Sequence, residues 1–304
     1  MSITDSRMEQ RRHRARRSLT LPVVVAALFV LGAGVLLYPA AASWVNQAQQ
    51  SAIIGAYSDD VEQLPADGLA EAIAEARDYN ERLTGGALVA AGRNIPDAEN
   101  PDQADGYSAQ LDANGTGLMA RIKIPSIAVD LPVYHGTSDA VLLQGVGHLE
   151  GTALPVGGLA THSVLTAHRG LADAELFTNL NRVQVDDTFV IEVFGEVLTY
   201  RVRGTQVVDP DDTETLFAIP GEDLVTLVTC TPLGINTQRI LVTGERVTPT
   251  PVDDLEAAGR HPEIPGFPWW AVGLGSVAVA AVAFVVWSAR PPRTGSQDTA
   301  SAPE

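Results

Sequence analysis

The 304 residues carry 20 Lys and Arg against 37 Asp and Glu, a formal net charge of −17 at pH 7, with 45% hydrophobic residues and a single cysteine, Cys230. That length allows one or two domains, the acid excess excludes a nucleic-acid-binding face, which needs clustered cations, and a lone cysteine excludes an internal disulfide. The charge is unevenly placed: residues 43–268 hold 33 acidic and 12 basic residues, whereas the two ends together hold 4 and 8.

In chain order, a basic tail over residues 1–18 contains Arg7, Arg11, Arg12, Arg14, Arg16 and Arg17. No charge follows until Asp59, and Leu19–Tyr38 has the apolar length of a bilayer-crossing helix, so a membrane helix is predicted over residues 19–42. The same basic region, apolar run and small residues Ala40–Ala42 also fit a cleaved signal peptide. Residues 43–58 are polar enough to leave the bilayer and continue as helix. Leu69, Ala72, Ile73, Ala76, Tyr79 and Leu83 then recur at three- and four-residue spacing among charged residues, which predicts an amphipathic helix stopped by Gly85-Gly86 and packed on the domain that follows. Residues 87–117 are punctuated by Gly, Pro and Asp, so a long loop is expected there. Residues 43–117 thus form a helical and loop extension with room for a lid.

From residue 118 to 248 the texture becomes short apolar runs divided by Gly, Pro, Asp and Asn. Seven or eight strands without regular helix alternation predict an all-β barrel or sandwich. Thr188–Arg203 reads as a hairpin turning near Gly195, with Phe189, Ile191 and Val193 on one face. Two pieces break the β pattern, Asp139–Gln144 and Asp173–Leu180, and each has the length of a connector helix. Residues 249–266 read as a linker. A second charge-free stretch over residues 267–288 has Trp269 and Trp270 at one end and Trp287 at the other, as an interfacial aromatic belt requires. A tail over residues 289–304 carries Arg290 and Arg293. Positive charge outside both spans predicts cytoplasmic termini and an extracytoplasmic acidic middle. No Gly-rich phosphate loop and no zinc-type Cys/His spacing is present, so neither cofactor nor metal is expected.

Cys230 closes the run Leu224–Val228 and precedes the breakers Pro232, Gly234 and Asn236; a returning strand starts at Arg239. A thiol at a strand end can be a small core hydrophobe or, ionised beside a suitable partner, a nucleophile. Strand pairing would bring the Arg239 guanidinium to its mouth. Partner imidazoles are His135, His148, His162 and His168, with His261 beyond. His162 and His168 share a face of one strand if it is regular, and His168 stands at its end, before Arg169-Gly170.

The stretches Gly147–Gly151, Pro155–Gly158, Thr161–Gly170, Leu227–Pro232 and Gly234–Arg239 resemble the class C sortases, pilin-polymerising cysteine transpeptidases of Gram-positive bacteria. The resemblance covers residues 118–247 densely, and two membrane segments agree with that class. It implies a closed eight-stranded β-barrel, with Cys230 as nucleophile, His168 as acid/base, Arg239 as the oxyanion or substrate-orienting cation, and Thr229 and Asn236 at the substrate. It further implies a thioacyl-enzyme made from an LPXTG-like sorting signal of a pilin or surface protein and resolved by a pilin lysine amine. Two other readings stand beside this one: anchoring to a cell-wall precursor amine, and a membrane-anchored barrel that binds without chemistry. The Asp-Pro-aromatic lid triplet common in the class is absent from residues 85–117, where Tyr107 is the single aromatic. A mobile loop that leaves Cys230 uncovered is therefore expected.

Overall fold

The computed structural model describes residues 19–83, 106–262 and 265–290. Helix α1, Thr20–Gln63, is 44 residues long, about 66 Å at 1.5 Å per residue, so it outruns any bilayer core and carries on through the stretch expected to continue as helix. Helix α2, Ala66–Arg82, follows after a short break. Eight strands come next: β1 (Leu118–Ile124), β2 (Val129–His135), β3 (Val146–His148), β4 (Thr161–Thr166), β5 (Thr188–Val193), β6 (Glu196–Val208), β7 (Asp223–Thr231) and β8 (Gln238–Arg246). They close into a barrel in the order β1-β2-β3-β4-β7-β8-β6-β5. Helix α3, Asp139–Gln144, joins β2 to β3 and is capped by the Ser138 hydroxyl, which accepts from Val141 N. Two further helices, α4 (Val252–Glu256) and α5 (Trp269–Ala289), complete the described elements.

The expected hairpin is β5–β6. Its turn residues Phe194 and Gly195 both have positive φ, 43° and 81°, the backbone that matches the strands' right-handed twist. Phe189, Ile191 and Val193 enter the core, while Val190 and Glu192 are buried on the opposite face. That outer face is covered by the stretch read as a linker. Arg121 on β1 makes two 2.6 Å bonds to Asp130, one of 3.3 Å to Glu192 and one of 2.7 Å to Arg260 O. Lys123 pairs with Glu192 and donates to Ala257 O at 3.0 Å.

Residues 42–267 form one unit, and the apolar spans outside it belong to a second. Within the first unit α2 docks on the barrel as its periodicity required: Ile73 and Ala76 are buried, Asn80 exchanges bonds of 3.0 and 2.7 Å with Leu154 O and N, and Arg77 pairs with Glu196 at 2.8 Å. Tyr57 on α1 donates to Met119 O at 2.9 Å. In the second unit the helix over Trp269–Ala289 and the start of α1 are each long and apolar enough to cross a membrane, and almost none of their side chains are buried. Neither run is packed as a core helix of this chain.

Two expectations need correction. Asp173–Leu180 is a series of turns, with Leu176 at a left-handed φ of 40°, and only a 3-10 turn at Leu180–Arg182 follows. Residues 106–117 are anchored, whereas a mobile loop was expected. Tyr107 and Leu111 are buried, the Tyr107 hydroxyl lies 2.8 Å from His148 Nδ1 and accepts from Gly136 N at 2.9 Å, and its ring packs edge-on against His135 with centroids 5.0 Å apart. The single aromatic ring of this segment is used as a peg. The rest of the expected lid region, residues 84–105, and the tails over residues 1–18 and 291–304 lie outside the described residues.

Candidate active site

Alternation along three strands decides which side chains meet. On β7, Val225 and Leu227 belong to the core, so Thr229 also points inward while Thr226, Val228 and Cys230 point outward. Ile240 and Val242 of β8 are core residues, which turns Arg239 outward. Leu165 and Ala167 are core residues as well, which puts His162, Val164, Thr166 and His168 on the outer face.

Register then brings the outward residues together. Strands β4 and β7 run parallel, each pair separated by 62 positions, from Thr161 with Asp223 to Thr166 with Val228. Hydrogen bonds keep that offset past the end of β4: Thr229 Oγ1 donates to Ala167 O at 2.8 Å and Arg169 Nη1 to Thr231 Oγ1 at 2.9 Å. His168 and Cys230 occupy the step between those two bonds. On the other side Cys230 and Arg239 are direct partners in the antiparallel β7–β8 pairing. All three are half-buried, as a group must be to meet a ligand from a fixed position.

The remaining expected residues have different surroundings. Thr229, expected at the substrate, is wholly buried with its hydroxyl spent on Ala167 O; it ties β7 to the residue before His168. Asn236 lies in the exposed β7–β8 loop at a φ of 59°, a conformation that asparagine tolerates better than most residues. Its N–H donates to Pro232 O at 2.9 Å, and its carbonyl accepts from Arg239 Nη1 at 3.0 Å, beside a second bond from Arg239 Nη1 to Gln238 O at 3.1 Å. The guanidinium is thus steadied by its own loop.

His162 shares the outer face with His168 but not its setting. It is buried, with Nδ1 3.0 Å from Phe217 O and Nε2 2.7 Å from Thr226 Oγ1. A carbonyl can only accept, so the proton sits on Nδ1 and Nε2 accepts from the threonine. Burial lowers its pKa from the usual histidine value, and the ring is a neutral structural bridge. His148 is more deeply enclosed, its pKa pushed down to about 4 by burial. Among the described residues no group of three or more His, Cys, Asp or Glu is placed to hold a metal ion. Arg169, which the residue pattern marked only as a loop start, proves to be the most connected side chain at this rim. The signal that would have found it is the constant offset of 62 between the strands, which no single-strand pattern carries.

A thiol, an imidazole and a guanidinium on one accessible face of a closed barrel are the groups that nucleophilic acyl transfer uses, and they define a cysteine transpeptidase of the barrel type. Residues 122–247 match the sortase domain family. Sortase C-1 from Actinomyces oris is 48% identical, with 59% of this chain and 98% of that one covered and a TM-score of 0.55. Sortase C1 of the group B Streptococcus pilus island 1 is 40% identical, covering 66% and 92%, with a TM-score of 0.57. Sortase A of Bacillus anthracis is 29% identical over 150 residues, 49% of this chain and 68% of that protein. The chain belongs to the sortase family, and its solved neighbours place it with the class C sortases.

Proposed function

We propose that this sortase cleaves an LPXTG-like sorting signal between Thr and Gly and transfers the acyl part to the ε-amine of a pilin lysine. The observation that carries the reading is the meeting of Cys230, His168 and Arg239 on one outer face through two strand registers. Cys230 as thiolate adds to the threonine carbonyl. The C–N bond then breaks, and His168 gives its proton to the departing glycine amine, which leaves a thioester. In the second half the lysine amine adds to the thioester, His168 takes the proton back, and the C–S bond breaks to return the thiolate. Arg239 faces the thiol across the β7–β8 pair, where a fixed donor stabilises the charge that gathers on the carbonyl oxygen, an effect typically of about 10²- to 10³-fold in rate. Thr229 acts behind the site by holding β7 to the end of β4, and Asn236 by shaping the loop that steadies Arg239. The pilin acceptor is favoured over a cell-wall precursor amine because a sortase C1 of a pilus island is 40% identical to this chain and 92% of it is covered.

Incubating the chain with an LPXTG peptide and recording intact mass tests the reading. A thioester adduct is expected with wild type and should be absent with Cys230→Ala and His168→Ala; Arg239→Lys should form it at least tenfold more slowly, since an ammonium cannot replace a planar guanidinium. Adduct formation by Cys230→Ala would refute the mechanism. Resolution of the wild-type adduct by a cell-wall precursor amine but not by pilin lysine would move the enzyme to the anchoring reading, and a chain that never forms it would be a binding module.

A further inference from the structure

We infer that Arg169 is a positioning residue that sets the separation of His168 and Cys230 by joining the loop that follows the histidine to the residue that follows the cysteine. The inference rests on the acyl-transfer reading of these two residues. Arg169 touches neither the thiol nor the imidazole by any hydrogen bond; it grips what surrounds them. Its guanidinium donates in three directions: Nε to Thr178 O at 3.0 Å, Nη1 to Thr231 Oγ1 at 2.9 Å and Nη2 to Asn181 Oδ1 at 3.0 Å. Thr178 and Asn181 lie in the long connection from β4 to β5, while Thr231 is the last residue of β7. One planar fork therefore fastens both arms of the β4–β5 connection to the far side of the thiol.

The geometry of the rim gives such a fastener its place. Regular β4–β7 pairing ends at Thr166 and Val228, two steps short of His168 and Cys230. Beyond it, Ala167 N donates to Val228 O at 3.2 Å, and the side-chain bonds from Thr229 to Ala167 and from Arg169 to Thr231 continue the register. Remove the bond from Arg169, and the hydrogen bonds across to β7 end at Ala167, while His168 is held from its own connection, its carbonyl accepting from Phe177 N at 3.1 Å. A second, apolar contact works in the same place. Gly170, at a φ of 77°, has Leu233 so close that a Cβ built on it would collide with Leu233 Cδ2. The glycine's missing side chain is the space in which the β7–β8 loop rests against the β4–β5 connection. A polar and an apolar stitch thus hold the two loops that flank the reacting pair.

A lysine at 169 could reach one of the three acceptors and not the others, because its donors radiate from a single nitrogen. Misplacing a catalytic group by about 1 Å can cost about 10²-fold in rate, and the loss should fall on the chemical step rather than on peptide binding. The test uses the full-length chain in detergent, with thioester formation from an LPXTG peptide and iodoacetamide alkylation of Cys230 at pH 7 as separate readouts. Arg169→Ala is expected to lower the rate constant of thioester formation about 10- to 100-fold, with half-saturation within twofold of wild type, and to slow alkylation at least fivefold. Arg169→Lys should fall between the two. Thr231→Val removes one acceptor and should show a smaller loss of the same kind; Thr231→Ser keeps it and should recover most of the rate. In the double variant Arg169→Ala/Thr231→Val the losses should not add.

Wild-type rates in Arg169→Ala, or a change confined to half-saturation, would overturn the assignment. If Arg169→Ala lacks the circular dichroism of the folded chain, Thr231→Val and Thr231→Ser carry the test, and equal rates for those two would overturn it as well. Should wild type form no thioester while alkylation still slows in Arg169→Ala, the sorting-signal reading fails and the positioning role stands.

Discussion

His148 makes the stability of this barrel depend on pH in a way that can be isolated. Its ring is wholly buried, with Nε2 2.9 Å from Ala153 O and Nδ1 2.8 Å from the Tyr107 hydroxyl. The carbonyl fixes the proton on Nε2, so Nδ1 accepts from Tyr107, and the neutral ring is fully satisfied. A second proton would sit on Nδ1, facing a hydroxyl that must then turn away. Burial of the ring lowers its pKa from 6.5 to about 4. Above pH 6.5 both folded and unfolded chains hold His148 neutral, and the contribution to stability is complete. Between 6.5 and about 4 the unfolded chain takes up a proton that the folded chain refuses, so stability falls as pH falls; below about 4 the loss levels off. At 1.36 kcal/mol per pH unit, that interval corresponds to about 3 kcal/mol. The perturbation is acidification of the full-length chain from pH 7 to pH 4, compared with His148→Gln, which cannot titrate. Pulse proteolysis in urea reads the stability of the barrel at each pH. Carboxylates titrate in both chains and cancel in the difference, so wild type should lose about 3 kcal/mol more than the variant over this range. Parallel losses, within about 1 kcal/mol, would show that the ring is not held neutral and would refute the reasoning.

Two further outcomes are expected. Arg121→Met should destabilise the barrel by about 3–5 kcal/mol, because the guanidinium, only 2% exposed, is the shared partner of Asp130 and Glu192 and its loss leaves the half-buried Asp130 without its ion-pair partner and Glu192 with Lys123 alone; a shift under about 1 kcal/mol in urea unfolding would contradict that. Both termini should face the cytoplasm, so that protease added to intact protoplasts digests the barrel and spares the Arg-rich ends; a protected barrel with cleaved ends would reverse the orientation.

What the sequence disclosed depends on the range of the contacts involved. Strands with clear periodicity, such as Phe189-Ile191-Val193 and the run into Cys230, were legible because alternation is local. The three-residue β3, Val146–His148, was not, since it is too short to show a period and is a strand only through parallel pairing with β2. The β7–β8 hairpin brought Cys230 and Arg239 together on paper, their nine-residue separation being short enough to imply pairing. His168 could be placed at a strand end but not beside Cys230, because a parallel pair has no connecting turn to fix its register. Tyr107 was misjudged for a related reason. Its loop has a composition that suggests mobility, and nothing nearby in sequence reveals that His148, Gly136 and His135 are waiting for its ring.

The topology also explains why these three residues, far apart in sequence, converge without strain. In a parallel pair both strands end at the same side of the sheet, so the exits of β4 and β7 coincide; in an antiparallel pair the exit of one strand meets the entrance of the next, so β8 must begin where β7 ends. Placing one parallel and one antiparallel neighbour on either side of β7 therefore brings two strand exits and one entrance to a single rim. All three residues are carried outward by the same alternation that sends Val225, Leu227 and Ile240 inward. Each of the three is thus one peptide unit away from a fully packed core residue: His168 from Ala167, Arg239 from Ile240, and Cys230 from Thr229, which is itself buried and bonded. The barrel supplies rigidity from behind, and the side chains in front remain free for a peptide. What the sheet does not fix is the last step past Ala167, whose N–H makes the final backbone bond to Val228 O at 3.2 Å, and after which His168 begins the loop. At that step the link to β7 passes from the backbone to side chains, while Phe177 N holds the His168 carbonyl from the connection's own side at 3.1 Å, and the Arg169 guanidinium is the group that bridges the two.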